Sequence, residues 1–195
     1  MPTVVGGPCE PPFLAQYNLS TALRQTWTGE IAGTWTPWIP LALLGFPPEM
    51  ILLQQSINLF YQFWIHTEAV HRTPAWFEYL FNTPSHHRVH HASNPRYLDR
   101  NYAGVLMVWD RLFGTFAQEV DEDPPCYGIV KNIDTFNPFR IAFHEWIAMA
   151  RDLGSARSVR EAAGLVLGPP GWRADGGGST SREIRAAWAA ASDEA

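Results

Sequence analysis

The chain has 195 residues, enough for one ordinary domain with a sizeable core. Its net charge of −5, with Lys131 the single lysine among fourteen basic residues, excludes the basic patch of a nucleic-acid-binding protein. Charged residues make up only 17% of the chain against the ~25% usual in soluble domains, while 46% are hydrophobic and nine are tryptophan, which suits an aromatic-rich globule or a chain partly in contact with a bilayer.

Residues 1–16 are rich in Pro and Gly and are expected to be poorly ordered. MPTVVGGPCEPPF has neither the positive n-region nor the apolar h-region of a secretory signal. Cys9 and Cys126 lie far apart with no CxxC pattern, which argues against a disulfide scaffold or a Cys-rich zinc site. A short helix is expected from Tyr17 to about Trp27, capped by Asn18 or Ser20.

Trp35–Ile65 is the best candidate for membrane contact, yet a spanning helix needs roughly 20 apolar residues. Pro37, Pro40, Pro47 and Pro48 interrupt its first half; Gln54, Gln55, Asn58 and Gln62 interrupt MILLQQSINLFYQFWI. Both halves suit re-entrant or interfacial helices, with Trp35, Trp38 and Trp64 as anchors. A buried amphipathic helix of a soluble core fits the same residues.

The helix over 49–66 should end near His66, and WFEYLF (76–81) leads into a histidine cluster. A further helix is expected from Tyr102 to Phe113, capped by Asn101 and stopped by Gly114. EVDEDPP (119–125) reads as a solvated acidic loop. Residues 137–153 have helical spacing, with Phe139, Phe143, Trp146 and Ile147 on one face. Past Gly154 the composition shifts to Gly, Ala, Ser and Arg, RADGGGSTS reads as a flexible linker, and Thr180 with Glu183 forms a capping box for a last short helix. Few runs alternate as strands do, so the fold class is all-α.

SHHRVHH (85–91) carries four of the seven histidines. Thr83 as N-cap, Pro84 at the first helical position and Asn94-Pro95 as a stop make it helical. At about 100° per residue, His86, His90, His87 and His91 fall at roughly 0, 40, 100 and 140°, on one face, while Arg88 and Val89 point elsewhere. Uncoordinated imidazoles gain little from such crowding and repel when protonated; neutral imidazole is a good ligand for iron, zinc, copper or nickel. HExxH is absent, since His144-Glu145 runs into Trp146, Ile147 and Ala148. A His₃ zinc site from His87, His90 and His91 is one option. His66 can contribute from the preceding helix, and Glu68 can orient an imidazole. His71 and His144 lack comparable context.

YQFWIHTE (61–68), NTPSHHRVHH (82–91) and RNYAGVLMVWDRLFGTF (100–116) resemble the fatty acid hydroxylase/sterol desaturase superfamily of membrane histidine-box oxygenases. YNLSTALRQ (17–25) and GPPGW (168–172) resemble its alkylglycerol monooxygenase-like branch. The resemblance implies a membrane-associated helical bundle holding a histidine-ligated di-iron centre on the cytosolic side, which uses O₂ to hydroxylate a lipid C–H bond. In that branch the carbon beside an ether oxygen is the target, and tetrahydrobiopterin is the electron donor; other branches use cytochrome b5-type or ferredoxin-type donors. By the same resemblance His87, His90 and His91 are metal ligands, His66 is an outlying one, and Asn101 and Asp110 stand with His86 and Glu68 as candidate supporting residues.

The superfamily pattern also has two earlier histidine boxes, whereas this sequence has no histidine before His66. The expectation is therefore the C-terminal part of a hydroxylase-like domain over 17–153, preceded by a disordered segment over 1–16 and followed by a Gly/Ala-rich tail over 154–195. A misplaced start, a split gene or a truncated isoform would account for the missing boxes, and a polypeptide carrying them is a candidate partner. Two alternatives stand beside it: a mononuclear His₃ zinc hydrolase, and a remnant without catalysis that serves as an interaction module.

Overall fold

The computed structural model describes residues 17–23, 29, 31, 33–128, 130, 133 and 135–193. The segment expected to be poorly ordered, 1–16, lies outside them. Among the described residues the regular structure is helical, with three isolated antiparallel bridges and no strand. These residues cluster into two compact units, one formed by 17–93 and 99–128, the other by 94–98 and 130–193.

The first unit contains α1 (Leu19–Ala22), α2 (Ile39–Leu43), α3 (Pro48–Ile65), α4 (Ala75–Leu80), α5 (Pro84–His90) and α6 (Val108–Phe113). Asn18 caps α1 by accepting from Ser20 N at 2.9 Å. Proline at its first helical position starts α3, which ends at His66, where the backbone leaves helical geometry (φ −79°, ψ 67°). No described helix is long and apolar enough to cross a membrane.

The polar residues that interrupt α3 have a structural use. A Cβ added at Gly104 would run into the side chains of Asn58 and Gln62, so glycine admits the 103–105 backbone against that edge of the helix. Tyr61 OH donates to Asn82 O at 2.7 Å from the same side of α3.

The helix expected over 102–113 forms only from Val108 to Phe113, before Gly114 at φ 72°. Residues 101–107 instead spend their backbone groups on neighbours. The Asp110 carboxylate accepts from Tyr102 N at 2.9 Å and Ala103 N at 2.8 Å. Asn82 donates from Nδ2 to Ala103 O at 2.6 Å and from its backbone N to Val105 O at 2.7 Å. Phe81 pairs with Leu106. These bonds satisfy the groups that a helix would have satisfied internally. Likewise α5 stops at His91 rather than at Asn94-Pro95, because Ala92 pairs with Tyr127 and Ser93 N donates to Cys126 O.

Among the described residues of this unit the buried set is unusually polar: nine polar or charged residues against five hydrophobic ones. Pro84 to Val89 of α5 are all buried, whereas Leu43, Leu44, Leu53, Phe60, Leu112 and Phe113 are largely exposed. Hydrogen bonding, more than apolar burial, therefore holds this unit together.

The second unit contains α7 (Pro138–Ser155), α8 (Val159–Leu167) and α9 (Ser181–Asp193), with a 3₁₀ turn at Pro95–Tyr97. Asn137 Oδ1 caps α7 by accepting from Phe139 N and Arg140 N. Phe139 and Ile147, on its expected packing face, are exposed, and Ala142 is its buried residue. The stretch expected as a tail forms α8, whose Gly164 lies under the Trp172 ring so closely that a Cβ would strike it. The capping box forms as expected: Glu183 Oε2 accepts from Thr180 N and Oγ1, both at 2.8 Å, and Thr180 Oγ1 accepts from Glu183 N at 3.3 Å.

Asp110 is 2% exposed and accepts a third bond, from Thr115 Oγ1 at 2.5 Å. In Asp110→Asn an amide N–H₂ must face one of these donors, leaving a buried group unpaired. The variant is expected to lose about 1–3 kcal/mol in urea unfolding. An unchanged midpoint would show that the 101–107 turn does not depend on the carboxylate.

Candidate metal centre

Three imidazoles converge in the first unit. His66 comes from the C-terminal end of α3, and His87 and His91 come one turn apart from α5 and its C-cap. His87 Nε2 and His91 Nε2 each lie 3.1 Å from His66 Nε2, and the three potential ligand atoms all fall within 4.8 Å of one another. The rings meet edge to face or tilted, with centroids 4.3 to 5.0 Å apart.

The hydrogen bonding prepares this cluster for a cation. His66 Nδ1 donates to Gln62 O at 2.7 Å, which fixes the tautomer and leaves the Nε2 lone pair facing the other two rings. One lone pair cannot properly satisfy two facing N–H donors. Three lone pairs facing one cation have no such conflict. His87 Nδ1 is buried with no partner among the described residues, so that ring finds its interactions at Nε2. Burial also keeps the rings neutral: it lowers the pKa of His66, pushes His87 well down, and holds His91 down to about 4, with neighbouring imidazoles adding in each case. The donor set therefore fits one transition-metal ion with open positions, but does not by itself supply a two-metal site.

Two tyrosines wall one side. Tyr17, 3% exposed, stacks on His66 with centroids 5.6 Å apart and lies 5.3 Å from His91. Tyr127 stacks on Tyr17 at 4.8 Å. Burial raises the pKa of both phenols, so both are neutral at physiological pH.

The fatty acid hydroxylase family model matches residues 14–115, which include the whole histidine triad. The chain belongs to the fatty acid hydroxylase family. It is 43% identical to the alkylglycerol monooxygenase of Danio rerio and 41% identical to that of Homo sapiens, in both cases over 156 residues, 80% of this chain and 34% of the relative. A 78-residue stretch is 36% identical to an ornithine lipid hydroxylase of Rhizobium tropici, covering 40% of this chain and 23% of that protein. The chain thus spans about a third of the length of the alkylglycerol monooxygenases it matches. No solved structure matches it.

Within this family domain the expected site residues separate. His90 stays outside the triad and is exposed: its ring stacks on His87 at 5.4 Å, and Nδ1 donates to Arg100 O at 3.3 Å, leaving Nε2 free of that bond. His86 turns away from the triad and packs edge-on against Phe116, so the four imidazoles do not share a working face. Glu68 accepts from Tyr127 OH at 3.0 Å rather than from an imidazole. Asn101 reaches the backbone of His86 and Ala117, and Asp110 the 102–103 turn, so their hydrogen bonds shape the scaffold around α5. His144, on α7, pairs with the exposed Glu145.

Arg88 and Glu119 are the pair that spacing concealed. Glu119 opens the acidic stretch expected to be solvated, yet it meets Arg88 at 2.6 Å with side chains only 6% and 14% exposed. An arginine between buried histidines, in a chain with fourteen basic residues, was the available signal of an internal role.

The depressed histidine pKa values set a pH dependence. Below about pH 6.5 the unfolded chain takes up protons that folded His66, His87 and His91 refuse, so stability of the metal-free protein falls as pH drops. The fall should begin near pH 6.5 and continue to about pH 4, where His91 titrates in the fold. Urea midpoints across that range check it. Replacing His91 by Gln should flatten the profile.

Proposed function

We propose that this chain is the portion of an O₂-dependent lipid monooxygenase that carries the last histidine box. The observation that carries this reading is the convergence of His66, His87 and His91 inside the family-matched region. Those residues would hold an iron ion, and His90, with its outer nitrogen free of the Arg100 bond, would face a second iron or the segment that completes the centre. Bound iron supplies the activation of O₂ that hydroxylation of a C–H bond requires.

The protein's own contribution is threefold. Burial keeps the imidazoles in the neutral, ligating form. The Gln62 carbonyl orients His66, and Tyr17 with Tyr127 shields the triad from water on one side. The exposed apolar side chains of α2, α3 and α6 would lie against membrane lipid and give an acyl chain access to the centre. The substrate class is an alkylglycerol ether or a fatty-acyl or sterol lipid, in keeping with the names of the relatives. Tetrahydrobiopterin or another reductant would supply the two electrons that accompany insertion of one oxygen atom, and the site would face the cytosol. A polypeptide bearing the two earlier histidine boxes would complete the ligand set.

Metal content tests this. The purified chain, reconstituted anaerobically with iron and zinc in competition, is expected to hold less than two irons and to show no lipid oxidation alone. His87→Ala removes a ligand outright and should reduce metal affinity by more than the roughly 10- to 100-fold that loss of a ligand's hydrogen-bond partner costs. A single tightly held zinc with ester hydrolysis in the absence of O₂ would replace this reading with the zinc hydrolase. No metal in either protein would leave an interaction module.

A further inference from the structure

Arg88 shares α5 with His87 but points away from the triad, and it is 5% exposed. Its guanidinium has five N–H bonds, and every one meets an acceptor. Nε donates to Glu119 Oε1 at 2.9 Å. Nη1 donates to Thr67 O at 3.2 Å and Val70 O at 2.8 Å. Nη2 donates to His71 O at 2.7 Å and Glu119 Oε2 at 2.6 Å. Ser85 Oγ, one turn earlier on α5, donates to the same Glu119 Oε2 at 2.6 Å.

Three of these acceptors belong to the segment that begins immediately after His66. That residue leaves α3 as its C-cap, so helical hydrogen bonding no longer fixes the chain beyond it. Arg88 therefore ties the His66-bearing segment to the helix that carries His87, and Glu119 balances its charge and grips the start of that helix. We infer that Arg88 is a positioning residue for the metal centre, its guanidinium holding segment 67–71 so that His66 Nε2 sits within reach of His87 and His91. This rests on the metal reading of the triad. Lysine is no substitute, because one ammonium offers three donors from a single atom and cannot span five acceptors set around a planar fork.

The test uses the whole chain with cobalt(II) as probe, following its visible ligand-field bands in wild type, Arg88→Lys, His66→Ala and the double variant. Arg88→Lys is expected to weaken cobalt binding about tenfold or more and to change the band pattern toward that of His66→Ala. Because Arg88 acts through His66, the double variant should bind no more weakly than His66→Ala alone. Wild-type affinity and spectrum in Arg88→Lys, or losses that multiply in the double variant, would overturn the positioning role while leaving the metal site intact. A wild type that binds no cobalt would overturn both. If circular dichroism shows that Arg88→Lys does not fold, Glu119→Gln decides, since it keeps the three carbonyl bonds and weakens the other end of the clamp. A severalfold loss of cobalt affinity that vanishes in the His66→Ala background then supports the role, and no loss overturns it.

Discussion

A guanidinium buried among five acceptors from two segments outside its own helix is the constraint on which the rest of the first unit depends. Burying Arg88 and Glu119 costs desolvation that their mutual attraction does little more than offset, so the pair is a weak source of net stability. Its worth is geometric. Three backbone carbonyls of residues 67–71, beyond the end of α3, would otherwise need other partners. Satisfying them with a side chain of α5 gives this loop a single position. One short helix and its C-cap thus serve two purposes, with His87 and His91 turned toward His66 and Arg88 turned toward an anchor.

The remaining interior follows the same logic. Asn82, Asn101 and Asp110 each bond backbone groups of the turns around α5 and α6, so a polar network replaces much of the usual apolar core. Such a network is rigid when complete and costly when broken, which suits a site whose nitrogen atoms must hold fixed spacing. Large apolar side chains are left on the outside. Surfaces of this kind mark contact with lipid or with further protein. Both suit a chain that spans about a third of the alkylglycerol monooxygenases it matches.

At the triad itself, three neutral imidazoles with one tautomer fixed by a carbonyl would offer a metal an open ligand set rather than a closed one. Structural zinc sites usually close with four protein ligands, whereas a site with three leaves room for an exogenous molecule. The placement of His90 adds to this openness. It stacks on a triad member yet is exposed, at an edge where additional ligands can approach.

The sequence by itself determined the helical class, the capping box at Thr180, the end of α3 at His66, and the presence of a histidine cluster within a fatty acid hydroxylase region. These are local properties, set by spacing and capping within a few residues. Periodicity also favoured all four histidines of SHHRVHH on one face and a long helix from Tyr102, because helical angles ignore what the chain meets next. Only the tertiary structure separated His86 and His90 from the triad, set the sequence candidate His66 against His87 from 21 residues upstream, and turned 101–107 into a hydrogen-bonded turn. The same long-range pairing drew Glu119 out of a solvated acidic run and onto Arg88, across 31 residues. No local spacing encodes such a contact, since its free energy comes from groups that folding alone brings together.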